Sequence, residues 1–183
     1  MTSQSYWANT EASFPVFAAS RHSVRDFSGK VDSSLIDQSI ALACTAPTAC
    51  NRQHVHIHTY EDDKASALLA YQNGNRGFGH LCKQLIVVTA DKNALYTIQE
   101  RHDTYTNGGI FAMNLSYSLH YHHVAHCMLN WSTEPGVDKA FRAVAGIPEN
   151  ETIVLLIACG QVPEKFKVAR SLRKPVSAIH TRH

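Results

Sequence analysis

A chain of 183 residues, 44% hydrophobic and 17% charged, has the balance of a folded globular protein and the length for one domain (1–183) with a real core. A formal charge of +2 is too small to argue for a nucleic-acid or membrane surface, and no apolar run reaches the ~18 residues of a membrane span. The first residues lack a basic stretch followed by an apolar one and so do not read as a signal peptide. Cysteines at 44, 50, 82, 127 and 159 form no C-x-x-C pair and read as reduced thiols of a cytoplasmic protein.

In chain order, residues 14–20 read as a short helix opening near Pro15. Asp32 is placed to cap a second helix, whose apolar stripe is Leu35, Ile36, Ile40 and Ala43 and which ends before Pro47. Val55, Ile57 and Thr59 alternate with His54, His56 and His58, the pattern of a half-buried strand. Residues 61–71 read as a helix with Ala67, Leu68 and Tyr71 on one side, followed by a glycine-rich loop over 74–79. Residues 85–88 are a buried strand, and residues 105–127 a long, mostly apolar helix. A further helix over 137–145 precedes the apolar run 153–159, which has the length of a central strand, and Lys174-Pro175 leads into a last short turn. Helices and strands alternate without a regular βαβ rhythm, so the expectation is an α+β fold, a mixed sheet flanked by helices with one long helix against it.

Several segments carry candidate chemistry. The loop GNRGFG has Gly74, Gly77 and Gly79 in the reverse of the dinucleotide spacing, and reads as a turn. Arg21, His22, Ser23 and Arg25 place two guanidiniums and a hydroxyl within five residues, a set suited to a phosphate because the guanidinium fork matches its oxygens. In the run 46–53 (APTACNRQ), small residues, two amides and a guanidinium stand where a helix gives way to a strand, and an amide can read the edge of a heterocycle as donor and acceptor. Residues 170–175 add further cations near the end. Each segment alone is also ordinary surface or turn chemistry.

Taken in order, these segments resemble the nitroreductase family over nearly the whole chain. RHSVRDF resembles the family's R-x-S-x-R-x-F opening, APTACNRQ its A-P-S-x-x-N-x-Q box, residues 108–115 (GGIFAMNL) the start of its long helix, and Gly146-Ile147-Pro148-Glu149 with Ser171-x-Arg173-x-Pro175 its closing segment. The resemblance implies a homodimer with FMN at the subunit interface and a long central helix in that interface. It implies that Arg21, Ser23 and Arg173 hold the phosphate, with His22 and Ser171 beside them, and that Arg25 reaches the pyrimidine edge of the flavin. Asn51 and Gln53 would bond the flavin or its ribityl chain. Pro47, Thr48 and Ala49 would line the cleft of the partner subunit, and Asn114 would approach the flavin from the long helix. Leu129-Asn130-Trp131 would form the loop beside the flavin. Three departures bear on the substrate: Ser171 where many relatives carry lysine, the histidine-rich stretch 121–126 after the long helix, and a flavin-side loop without glycine. The end at His183 leaves room only for a short arm around a partner.

The activity so implied is hydride transfer from NADH or NADPH, through flavin N5, to a small organic acceptor such as a nitroaromatic or a quinone, by a ping-pong scheme in which no protein group serves as the catalytic acid or base. The alternatives are a flavin-dependent dehydrogenase or dehalogenase acting on a dedicated metabolite, and a flavin-binding protein without turnover. The twelve histidines raise a metal reading. His122 and His126 would share a helical face, and His54, His56 and His58 a strand face, but no carboxylate or cysteine pair completes a zinc set, so no metal is expected.

Overall fold

The computed structural model describes residues 1–183. It contains four strands, β1 (Val55–Glu61), β2 (Gln84–Asp91), β3 (Ala125–Asn130) and β4 (Glu151–Gly160), in one sheet of order β1-β2-β4-β3. All three pairings are antiparallel, where a mixed sheet is expected from the sequence. Six helices accompany it: α1 (Ser3–Trp7), α2 (Phe14–Ser20), α3 (Ser33–Ala43), α4 (Asp62–Leu69), α5 (Asp103–Tyr121) and α6 (Pro135–Ala145).

The sheet is the middle of three layers. Along β2, Ile86 and Val88 pack on one face against Phe111, Leu115 and Leu119 of α5 and Ile36 of α3. Leu85 and Val87 pack on the other face with Leu68 of α4 and Phe141 of α6. Side chains alternate across a strand, so a strand covered on both faces reads as an unbroken apolar run, as β2 and β4 do. β1 is an edge strand and alternates.

Local chemistry sets the helix limits. The Asp32 carboxylate accepts the Ser34 backbone N–H at 2.9 Å and starts α3. Pro135 opens α6, and Gly146, at φ 76°, closes it in the left-handed region. On α4 the buried side is Ala65, Leu68 and Leu69, and Ala67 is exposed, which corrects the sequence-based stripe.

The largest departure from the sequence reading is at the end of α5. The helix stops at Tyr121 and does not run on to Cys127, because His123 turns left-handed at φ 60° and Val124 begins a new direction. Residues 125–130 are β3, a strand the sequence reading lacks. His122 therefore caps a helix while His126 lies on a strand, and the two share no face.

This topology gives the sheet two distinct ends. At one, β4 finishes, β3 starts and α5 ends. At the other, β1 starts, β2 finishes and α5 begins. No helix is long and apolar enough to cross a membrane.

Candidate functional site

The Arg21–Phe27 segment lies at the first of these ends. The Val24 N–H donates to the His126 carbonyl at 2.9 Å, and Val24 also bridges Val168, which wedges the segment between the start of β3 and the C-terminal stretch. Val24 and Phe27 point into the core, at 0% and 4% exposure. Between and before them Arg21 and Ser23 are half-buried and Arg25 is exposed.

Two buried groups hold the start of this segment. His120, on the last turn of α5, shares a hydrogen bond of 2.9 Å with the Ser20 hydroxyl. The Tyr6 hydroxyl donates to the His22 carbonyl. His120 is fully buried among Tyr6, Trp7 and Phe17, and burial pushes its pKa down to about 3, with His126 and Arg21 adding to the effect. It is a neutral imidazole in the working range.

The electrostatics of this end are those of an anion site. None of the ion pairs in the structure involves Arg21, Arg25 or Arg173. The Nε atom of Arg21 is buried without a hydrogen-bond partner. His22 is held below the ordinary histidine range by burial, then by Arg21 and Arg173, which places Arg173 in the same field. The buried Cys127 thiol is pushed up by burial and feels Arg25, Arg21 and Ser23 in turn. A buried guanidinium nitrogen without an acceptor is uncommon and is satisfied by an anion placed there. Ser171 and Arg173 lie on a stretch, 169–183, in which every residue is exposed, with Arg173 close enough to act on His22.

The second group of candidates lies at the opposite end of the sheet. Cys50, Asn51 and Gln53 all have positive φ (52°, 54° and 49°), a left-handed backbone that non-glycine residues adopt only under constraint. The constraints are visible. The Thr48 hydroxyl accepts the Gln53 N–H at 3.0 Å, and the Asn107 side chain, from the first half of α5, accepts the Ala49 N–H at 2.8 Å. Arg52 makes a two-pronged ion pair with Glu100, at 2.7 and 2.6 Å, and also donates to the Ala94 carbonyl at 3.1 Å. The loop is thus bolted to α5 and to the 92–101 connection. It presents Asn51 and Gln53, both exposed and joined by a side-chain bond of 3.0 Å. Pro47 is exposed, and Thr48 and Ala49 are half-buried.

The remaining candidates have other employment. The Asn114 amide donates to the Ala43 carbonyl at 3.0 Å and to the Thr45 hydroxyl at 3.1 Å, and so closes the C-terminal end of α3. Leu129 is a core residue of β3 at 5% exposure, and Asn130 is the last residue of that strand, its carbonyl bonded by Gln72 at 3.0 Å. Residues 129–130 are therefore strand where a loop is expected, and the Leu129 side chain is packed in the core. Sequence reasoning missed Asn107, Glu100, Tyr6 and His120, which act by holding candidate segments. Arg52, which the sequence reading assigned no role, has its charge matched by Glu100.

The histidines are dispersed. His58 pairs with Glu151 at 2.7 Å, His54 is buried, and His56 is exposed. No three His, Cys, Asp or Glu side chains come together as a metal-binding group.

The two candidate groups are far apart within one chain. From Asn107, which holds the loop, to His120, which holds the arginine segment, α5 rises roughly 20 Å.

No family model and no curated protein matches the sequence. Solved structures do match it. A nitroreductase family protein from Streptococcus pneumoniae superposes with a TM-score of 0.81 at 20% identity, over 93% of this chain and 100% of its own. A Desulfovibrio desulfuricans protein assigned to the nitroreductases, in complex with FMN, gives a TM-score of 0.76 at 16% identity, over 91% of this chain and 94% of its own. The Lactococcus lactis nitroreductase CinD, in complex with nicotinic acid, gives 0.76 at 15% identity, over 93% and 100%.

Proposed function

We propose that this chain, whose fold is that of the nitroreductase family, is an FMN-dependent oxidoreductase that works as a homodimer and passes hydride from NADH or NADPH to a small organic acceptor. The observation that carries the reading is the arginine-rich segment at one end of the sheet. Arg21 has a buried, unpartnered Nε, and neither it nor Arg25 or Arg173 is ion-paired.

These residues fit a flavin phosphate. Arg21 and Arg173 would supply the charge and Ser23 a hydroxyl donor, with His22 and Ser171 beside them. His22, held below the ordinary histidine range by burial and then by Arg21 and Arg173, is disfavoured from adding a third charge and as a neutral ring can give one N–H. Arg25, exposed and two residues further on, would reach toward the ring's pyrimidine edge.

The loop 47–53 fits the ring and the ribityl hydroxyls. Its strained backbone fixes Asn51 and Gln53, whose amides can donate to and accept from a polar edge. It serves the partner's cofactor, because it lies at the far end of its own sheet. A two-fold axis that sets two copies of α5 against each other in opposite directions brings the loop of one chain to the arginines of the other. Ile110, 42% exposed on α5, and Leu42, 42% exposed on α3, are the kind of surface such an interface covers.

Bound FMN would supply the two-electron relay, accepting hydride from the nicotinamide and giving it to the acceptor in alternate half-reactions. The protein's part is to bind, orient and shield, and its five free thiols suit the reducing cytoplasm. The test is direct. The purified protein should take up one FMN per chain, be bleached by NADH or NADPH, and regain its colour with a quinone or nitroaromatic. A protein that takes up no FMN on titration refutes the reading.

A further inference from the structure

Between the 92–101 connection and the first turn of α5 lies a groove of about 440 Å³. Its walls include Leu95, Tyr96, Ile98 and Tyr105, its rim carries Lys92 and Arg101, and no aspartate or glutamate lines it. Tyr96, Ile98 and Tyr105 are 89%, 75% and 58% exposed. Large apolar side chains fold back onto a surface unless the backbone prevents it. Here the backbone is pinned: the Glu100 carboxylate accepts the Tyr96 N–H at 2.6 Å and the Thr97 N–H at 3.4 Å while gripping Arg52. The same carboxylate therefore fixes the groove's aromatic wall and the loop 48–53 as one unit.

The rim is as informative as the wall. Neither Lys92 nor Arg101 has an ion-pair partner. An apolar slot with aromatic walls, two unpaired cations and no carboxylate is complementary to a flat ring that carries a negative group.

We propose that this groove binds a planar aromatic anion, the ring against Tyr96, Ile98 and Tyr105 and the anionic group at Lys92 and Arg101. Its assignment to the reaction rests on the function proposed above. The ligand is then either the acceptor, as an aromatic carboxylate, or the reductant, through a phosphate of its nucleotide.

The test is calorimetric titration of the protein as purified, and again after FMN removal, with 4-nitrobenzoate, neutral 4-nitrobenzamide and NADPH. Wild type should bind 4-nitrobenzoate about five- to tenfold more tightly than the amide, the range for one or two exposed charge-assisted contacts. A Lys92→Gln/Arg101→Gln variant should lose that preference and leave the amide unchanged, while Tyr96→Ala should weaken both probes alike. In the charge variant, loss on NADPH as well as on 4-nitrobenzoate assigns the groove to the reductant, loss on 4-nitrobenzoate alone assigns it to the acceptor, and loss on NADPH alone overturns the proposal. A charge preference that persists in a protein taking up no FMN keeps the groove and removes the oxidoreductase. Equal affinity for the two nitro compounds, no binding of any probe, or burial of Tyr96 against a second copy overturns the proposal.

Discussion

Arg21 shows how one side chain can be read through what it lacks. A guanidinium that a fold needs for stability has its N–H groups matched, as Arg52 does with Glu100 and Ala94. Arg21 keeps a buried Nε unmatched, which is tolerable when a ligand completes it. Arg21→Ala should therefore weaken FMN far more than riboflavin, which has no phosphate. A charge-assisted bond contributes about 1.5–3 kcal/mol, so a loss of roughly ten- to a hundredfold is expected for FMN alone. Equal losses for the two ligands would show that Arg21 does not meet the phosphate.

The buried imidazoles make a prediction about pH. His120 is pushed down to about 3 and His126 to about 4, both chiefly by burial. The folded chain keeps both neutral, whereas the unfolded chain protonates them near the ordinary histidine value of about 6.5. Their contribution is fully present above that value and is lost progressively as pH falls through it toward about 4 and then about 3. Urea unfolding between pH 7 and 4.5 should show stability dropping by up to about 1.4 kcal/mol per unit for each histidine, and His120→Asn should flatten the slope. An unchanged slope in that variant would mean His120 is hydrated in solution.

Among the elements, α5 is the one whose seating decides the rest, since it holds the loop 47–53 through Asn107 and the arginine segment through His120. It lies close on the sheet at Gly108, where a Cβ would stand 2.5 Å from Val154 Cγ2 and 3.2 Å from its Cβ. Valine is branched at Cβ and has little room to swing aside. Gly108→Ala should thus destabilise by about 1–3 kcal/mol through overpacking. Gly109→Ala, with nothing within 4 Å, should stabilise by about 0.5–1 kcal/mol through helix propensity. Chemical denaturation of the pair would tell them apart, and identical behaviour would mean that α5 can lift from β4 freely.

What could be read from the sequence follows the same physics. The α3 cap and the two buried strands were legible because Asp32 and the unbroken apolar runs each have one structural meaning, and α6 was found as a helix but started two residues late, at 137. The break between α5 and β3 was not. No glycine or proline marks it, and Ala125, Cys127 and Leu129 continue an apolar pattern that suits either a helix or a buried strand. The candidate site was legible only as residue types. That Arg52 is an anchor, that Leu129 is core, and that Asn107 and Glu100 hold the loop are long-range facts, settled by which segments the sheet brings together.

For the whole molecule, the proposed function together with the separation of the two candidate groups predicts that each cofactor site draws on two chains. Arg21→Ala and Asn51→Ala variants should each bind FMN weakly, yet mixing equal amounts and allowing exchange should recover about a quarter of the sites. Half of the dimers would be mixed, and in each of these one site would combine an intact arginine segment with an intact loop. Recovery indistinguishable from zero would place both groups in a single chain's site.

On the proposed function, the two-ended sheet would also make cofactor retention a matter of mass action. If neither half of a site holds FMN without the other, association of the chains and capture of the cofactor are linked equilibria, and each strengthens the other by the same factor. Dilution should then strip the cofactor at protein concentrations where an intact dimer would keep it, and excess FMN should drive scarce monomers together. A newly made chain would stay colourless until it met a second one.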